Sequence, residues 1–232
     1  MRNLILLTVL LAGFMACKKE RDCSNTVERT LGITNFKSIS AGETFTLNVQ
    51  QGTSFSVKAK GCDKDLDDLQ TSIDNGGTLV IKYNRYQKDR RKVYFDITLP
   101  SLYRIILDGA ATGTLTGFSR QSVNLRPTLN GAAECTIEDM PSLLNANLSG
   151  ASKLTVRGSA SDLIASVSGA ANMNAYDARF MDADVYASGT AKIRIVVDRS
   201  LFATASGDSR VYYKGNPTAN IEQSGTAKVI HE

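Results

Sequence analysis

Ser188-Gly189-Thr190-Ala191-Lys192 recurs letter for letter as Ser224-Gly225-Thr226-Ala227-Lys228. Between them lies a looser copy, Ser206-Gly207-Asp208-Ser209-Arg210, and four more precede them. Aligned, the copies read LDGAATGTL (107–115), LNGAAECTI (129–137), LSGASKLTV (148–156), VSGAANMNA (167–175), ASGTAKIRI (187–195), ASGDSRVYY (205–213) and QSGTAKVI (223–230). Their glycines, from Gly109 through Gly131, Gly150, Gly169, Gly189 and Gly207 to Gly225, stand 22, 19, 19, 20, 18 and 18 residues apart. A period this constant over seven copies specifies a solenoid.

Within each copy the alternation has period two. In the third, Ala146, Leu148, Gly150, Ser152, Leu154 and Val156 share one parity and are small or apolar, while the intervening residues are small or polar. That is a strand with one buried face. A second row of breakers follows each motif glycine at about eight residues, at Gly117, Asp139, Gly158, Asp177, Asp198 and Gly215, and marks a second corner. Short strands at this spacing, with no helical pattern among them, predict an all-β fold: a single-stranded right-handed parallel β-helix of 18–22 residues per coil. The row two residues after the glycines is small (Ala111, Ala133, Ser152, Ala171, Ala191, Ser209, Ala227) and the row four after is mostly larger and apolar, as a narrow stacked core requires. Cys135 falls in that apolar row and reads as a buried free thiol. The glycines read as corner residues, where positive φ or close stacking excludes a Cβ.

Upstream, Phe36–Val49, Thr53–Lys60, Thr78–Tyr83 and Val93–Leu99 also alternate and are expected to form strands that lead into the solenoid and cap its first coil. LDDLQTSI between them reads as a short helical piece capped by an aspartate. No linker separates the halves, so residues 33–232 form one domain, with repeated coils from about residue 105.

Residues 1–16 carry one charge, Arg2, followed by a 13-residue apolar run from Leu4 to Ala16. The run is too short to span a bilayer, which takes ~20 residues, and reads as a secretory signal. Cys17 directly follows it and is the expected lipidation site, with residues 17–32 as a tether to the membrane. In an oxidising envelope Cys23 and Cys62 are the pair to consider for a disulfide.

The chain resembles the auto-transporter adhesin family with a head GIN domain, a domain of unknown function. The resemblance is carried by Phe36-x-x-Ile39-x-x-Gly42, TFTLNVQQG (44–52), GGTLVIKY (76–83), VYFDITLPSLYRIILDGAATGTL (93–115) and the repeated SG coils, over roughly residues 33–228. It implies a β-helical, exported envelope protein, often a lipoprotein, with no assigned catalytic residue; the expected location is the outer membrane of a Gram-negative bacterium.

Charge and composition narrow the function. With 27 Lys and Arg against 23 Asp and Glu the formal charge is +4, too mild for a nucleic-acid partner. The single histidine, His231, lies one residue from the end, there is no Trp for sugar stacking, and outward acids are scattered, so no catalytic cluster, cofactor or metal site is assigned. The acidic run Asp63, Asp65, Asp67 and Asp68 has a calcium-like spacing but lacks the glycine an EF-hand loop needs. A basic loop, Arg85, Lys88, Arg90, Arg91 and Lys92, reads either as a soluble hairpin tip or as a contact for anionic lipid or polysaccharide. The most organised exposed feature is the coil surface: a stripe of Lys153, Lys192, Arg210 and Lys228 beside a ladder of Ser188, Ser206 and Ser224. The expected function is a non-catalytic binding module presenting this face to a glycan or protein. A polysaccharide-active enzyme and a structural protein assembling with its own copies through coil ends or edges are the alternatives.

Overall fold

The computed structural model describes residues 23, 25–121 and 124–232. The expected signal segment and the expected lipidation site, Cys17, lie outside the described residues. The N-terminal strands are β1 (Thr26–Leu31), β2 (Ser38–Ala41), β3 (Thr46–Gln51), β4 (Ser56–Cys62), β5 (Leu69–Ile73), β6 (Thr78–Tyr83) and β7 (Tyr94–Leu99), with one short helix, α1 (Asp63–Leu66), before β5. The coils follow as β8 (Arg104–Leu107), β9 (Thr112–Thr116), β10 (Arg126–Leu129), β11 (Glu134–Ile137), β12 (Leu143–Leu148), β13 (Lys153–Val167), β14 (Asn172–Ala187), β15 (Lys192–Ala205), β16 (Arg210–Lys214), β17 (Thr218–Gln223) and β18 (Lys228–His231). They make a β-solenoid of about six turns.

Two parallel ladders meet at the motif glycines. One holds the strand entering each corner: β6, β2, β8, β10, β12, the C-terminal halves of β13, β14 and β15, and β17. The other holds the strand leaving it: β7, β3, β9, β11, the N-terminal halves of β13, β14 and β15, then β16 and β18. Period-two alternation puts one parity inside, and the inner columns are buried from Ile39 and Leu47 to Val211 and Ala227.

The corner explains the glycine period. All seven motif glycines are left-handed, with φ of 66–74°. A Cβ on any of them would lie 2.7–3.2 Å from the backbone carbonyl oxygen of the corner before it. The same carbonyls accept hydrogen bonds from the next corner, as Gly131 O does from Ala151 N at 2.7 Å. The coils therefore stack backbone on backbone here, and only glycine leaves room.

The N-terminal part departs from the sequence-based expectations in three ways. Phe36–Val49 is not one strand: β2 and β3 flank a corner at Gly42–Phe45 and form a complete coil, in which Glu43 (φ 57°) occupies the glycine position. This coil is second in the stack, because β6 and β7 pair on its outer side. LDDLQTSI is not a helical piece either. The helix ends at Leu66, has Cys62 at its N-cap with no capping side chain, and Leu69–Ile73 runs antiparallel to β6 through a turn whose Gly76 and Thr78 N–H groups donate to Asp74 Oδ1. Finally, Thr26–Leu31, within the expected tether, is a strand paired antiparallel with β4, which in turn pairs antiparallel with β7. Antiparallel strands thus sheathe the N-terminal end of the solenoid, whereas β17 and β18 each pair on one side only among the described residues.

Candidate binding face

The ladder of strands leaving the corners turns its outward residues to one flat face. Parallel register places Lys153, Asn172, Lys192, Arg210 and Lys228 in one column. The next outward column holds Thr155, Asn174, Arg194, Tyr212 and Ile230. Neighbours within a column are ~4.8 Å apart, the interstrand spacing. Beyond them Lys214 aligns with Val196, and its ammonium sits 4.3 Å from the centroid of the Tyr176 ring.

The expected stripe is therefore brought together, but its members differ electrically. Lys153 is held by Glu134 at 2.7 Å and Arg210 by Asp208 at 3.4 Å. Among the described residues Lys192, Lys214 and Lys228 carry no ion pair. Arg194 donates to Asn172 Oδ1 at 3.4 Å and lies 5.4 Å from the Tyr212 ring centroid. Tyr176 Oη donates to Glu232 at 2.7 Å, and burial, then that hydrogen bond, pushes its ionisation well above the usual range. Towards the C-terminal end the face presents five cations, Lys192, Arg194, Arg210, Lys214 and Lys228, with Tyr176 and Tyr212 among them and Asp208 beside Arg210. Sequence reasoning missed Arg194, Tyr212, Lys214 and Tyr176. The five-after-glycine position of the aligned copies held the signal for two of them, Arg194 and Tyr212.

The serine ladder is less open than expected. Ser188 and Ser206 are half-buried beside the corner and only Ser224 is exposed. Higher in the same column Asn130 donates to Asp108 at 2.7 Å and Ser149 to Asn130 at 2.8 Å, so part of this row bonds to itself. His231 is held as well, stacked on Tyr213 at 4.7 Å between centroids and bonded to the Gly215 carbonyl at 2.6 Å. The flank around the second corner is charge-balanced: Arg157 pairs with Glu138, Arg179 with Asp198, and Arg199 with Asp182.

The acidic run and the basic loop turn out to be one unit. Arg90, with its side chain buried, bonds Asp65 and Asp68, Arg85 bonds Asp68 at 3.1 Å, and the Arg90 guanidinium lies 3.6 Å from the Tyr83 ring centroid. Burial alone would raise the Asp68 carboxyl, but hydrogen bonds and charge from Arg90 and then Arg85 hold it below the usual carboxylate range. The loop is therefore no hairpin tip. It joins successive sides of a coil, and two of its arginines are used internally. Lys88 and Lys92 are exposed, and Arg91 donates its backbone N–H to Asp65 at 3.1 Å. Cys23 and Cys62 are joined by a disulfide with Cα atoms 5.6 Å apart, tying the start of the domain to β4. Cys135 is a buried free thiol.

A family model described as "Putative auto-transporter adhesin, head GIN domain" matches residues 35–217. Among curated protein sequences no match is found. Three solved structures share the fold over 90% of this chain. A "putative adhesin" from Bacteroides fragilis is 18% identical, with a TM-score of 0.78 and 98% of its own chain covered. A "putative lipid binding protein" from Parabacteroides distasonis is 16% identical, with a TM-score of 0.69 and 97% covered. A "putative adhesin" from Parabacteroides merdae is 13% identical, with a TM-score of 0.67 and 97% covered. At these identities the likeness is one of fold.

Proposed function

The chain belongs to the auto-transporter adhesin, head GIN domain family, and from that premise we propose that it is an exported, non-catalytic adhesive module that holds an anionic glycan along the Lys192–Lys228 face. The observation that carries this reading is the register of Lys192, Arg194, Arg210, Lys214 and Lys228 on adjacent strands, with Tyr212 in the column of Arg194 and the Tyr176 ring against Lys214. A polymer with regularly spaced carboxylates or sulfates meets a cation at each coil, and tyrosine faces offer sugar rings an apolar surface. Each exposed pair contributes little, at most ~1 kcal/mol, so affinity comes from repetition and weakens as salt rises. Anchoring through Cys17 would set the N-terminal end toward the membrane and leave this C-terminal face outward.

The test is retention on heparin and alginate as a function of salt. We expect the quadruple variant K192Q/R210Q/K214Q/K228Q to elute at much lower salt while unfolding at the wild-type temperature. Equal elution of the two proteins would refute the assignment of this face. Release of new reducing ends during incubation would instead favour a polysaccharide-active enzyme.

A further inference from the structure

The glycine column has an exception at its head. Seven corners carry glycine; the eighth, between β2 and β3, carries Glu43 with the same left-handed backbone. Such a conformation is unfavourable for a residue with a Cβ, and glutamate has no special tolerance for it. In each glycine corner a Cβ would point back at the carbonyl of the corner before. At Glu43 there is no such corner to strike. The strands beneath, β6 and β7, are joined not by a tight turn but by the loop of residues 84–93, and between this loop and the Glu43 corner lies an open groove of about 570 Å³. Glu43 is exposed and lines this space.

The groove walls include Glu43, Thr44, Tyr83, Tyr86, Lys88 and Asp89. Asp89, like Glu43, is a left-handed residue with a side chain, at φ 61°. Strained backbone of this kind clusters where a side chain must be held for a ligand. Among the described residues neither carboxylate makes a hydrogen bond or ion pair, and the loop's Arg85 and Arg90 are committed to Asp65 and Asp68. The Tyr83 hydroxyl is buried at the wall with no hydrogen-bond partner. Tyr86 is 83% exposed, more than any other large hydrophobic residue described.

We propose that this groove is a saccharide site that takes one pyranose unit of an uncharged glycan. The exposed Tyr86 ring supplies the face on which sugar C–H groups pack, the Glu43 and Asp89 carboxylates accept from adjacent hydroxyls, and Lys88 donates to a ring or hydroxyl oxygen. The two carboxylates outnumber the one unpaired cation, Lys88, and the Arg90 guanidinium at the wall is already paired with Asp65 and Asp68, so uronates and sulfated sugars are disfavoured, which separates this site from the basic face at the other end of the solenoid. The proposal does not rest on that face.

The experiment is saturation-transfer NMR and calorimetric titration of the mature chain with a panel of neutral hexose and N-acetylhexosamine oligosaccharides, comparing wild type, Glu43→Gly and Tyr86→Ala. We expect at least one neutral sugar to bind wild type and to lose tenfold or more in affinity with either variant. Glu43→Gly restores the column and should unfold at or above the wild-type temperature, with retention on heparin unchanged. Absence of binding to any neutral saccharide, or equal binding by wild type and both variants, would overturn the proposal. If Glu43→Gly unfolds earlier, Tyr86→Ala alone decides, since its ring lies almost wholly in solvent.

Discussion

Replacing Gly150 by alanine tests the stacked-corner account most directly. Gly150 has φ 72°, and a Cβ there would sit 2.7 Å from the carbonyl oxygen of Gly131, 3.0 Å from its nitrogen and 3.1 Å from its Cα. Three terms set the cost. A left-handed backbone costs an L-residue ~1–2 kcal/mol. Restoring ordinary contact from 2.7 Å to 3.4 Å needs the two corners to part by about 0.7 Å, against the 2.7 Å hydrogen bond from Ala151 to Gly131; forced overpacking of this sort costs ~1–3 kcal/mol. Against these, alanine narrows the unfolded ensemble and returns ~0.4–1 kcal/mol. The net is a destabilisation of about 3 kcal/mol, or roughly 6–12 °C for a domain of this size. Urea unfolding followed by far-UV circular dichroism measures it. Gly109→Ala should cost less, because its nearest backbone contact is 3.2 Å, and Gly32→Ala should cost nothing, since no atom lies within 4 Å and its φ is ordinary. If Gly150→Ala unfolds within about 0.5 kcal/mol of wild type, the corner does not exclude a Cβ and the explanation of the period is wrong.

Two further outcomes follow from ionisable groups. Hydrogen bonds from Arg199 and then Ser200 lower the Asp182 carboxyl to about 2, so this group's contribution to stability is present above its unfolded value near 3.8 and is lost as the pH falls toward 2; the stability gap between wild type and Arg199→Gln should therefore close over that acid range in unfolding curves taken at successive pH values. Burial pushes the Cys135 thiol up to about 12, so maleimide at pH 8 should leave it unlabelled in the folded protein and label it in urea, and labelling at equal rates in both conditions would place it at the surface.

The repeated coils were legible in the sequence because one residue type is demanded at one place. A left-handed corner packed on another backbone accepts little but glycine, and the two parities around it follow from a sheet with one wet face. The first coil was hidden by its own exception: Glu43 takes the glycine position while Gly42, an ordinary residue conformationally, draws the eye one place early. Thr26–Leu31 was missed because its pairing partner, β4, is remote in sequence and its side chains alternate between exposed and half-buried rather than fully buried. The basic stripe could be aligned from the period alone. What spacing does not encode is which cations are already answered. Glu134 beside Lys153 and Asp208 beside Arg210 lie close in the stack, and the union of the 63–68 acids with Arg85 and Arg90 requires the fold to bring two loops together.

The inverted placement of the first coil bears on the order in which the molecule can assemble. From β9 onward each coil finds its neighbour 18–22 residues away and can close as soon as it exists. The coil of β2 and β3 must wait for both of its neighbours, pairing outward with β6 and β7 and inward with β8 and β9; Thr46 alone meets Tyr94 and Thr112. Closing the longer loop costs only ~1 kcal/mol more in chain entropy, yet it imposes a sequence of events. A chain emerging N-terminus first carries Phe45, Leu47 and Val49 unshielded until about a hundred residues have appeared, which makes the earliest-made coil among the last to be secured.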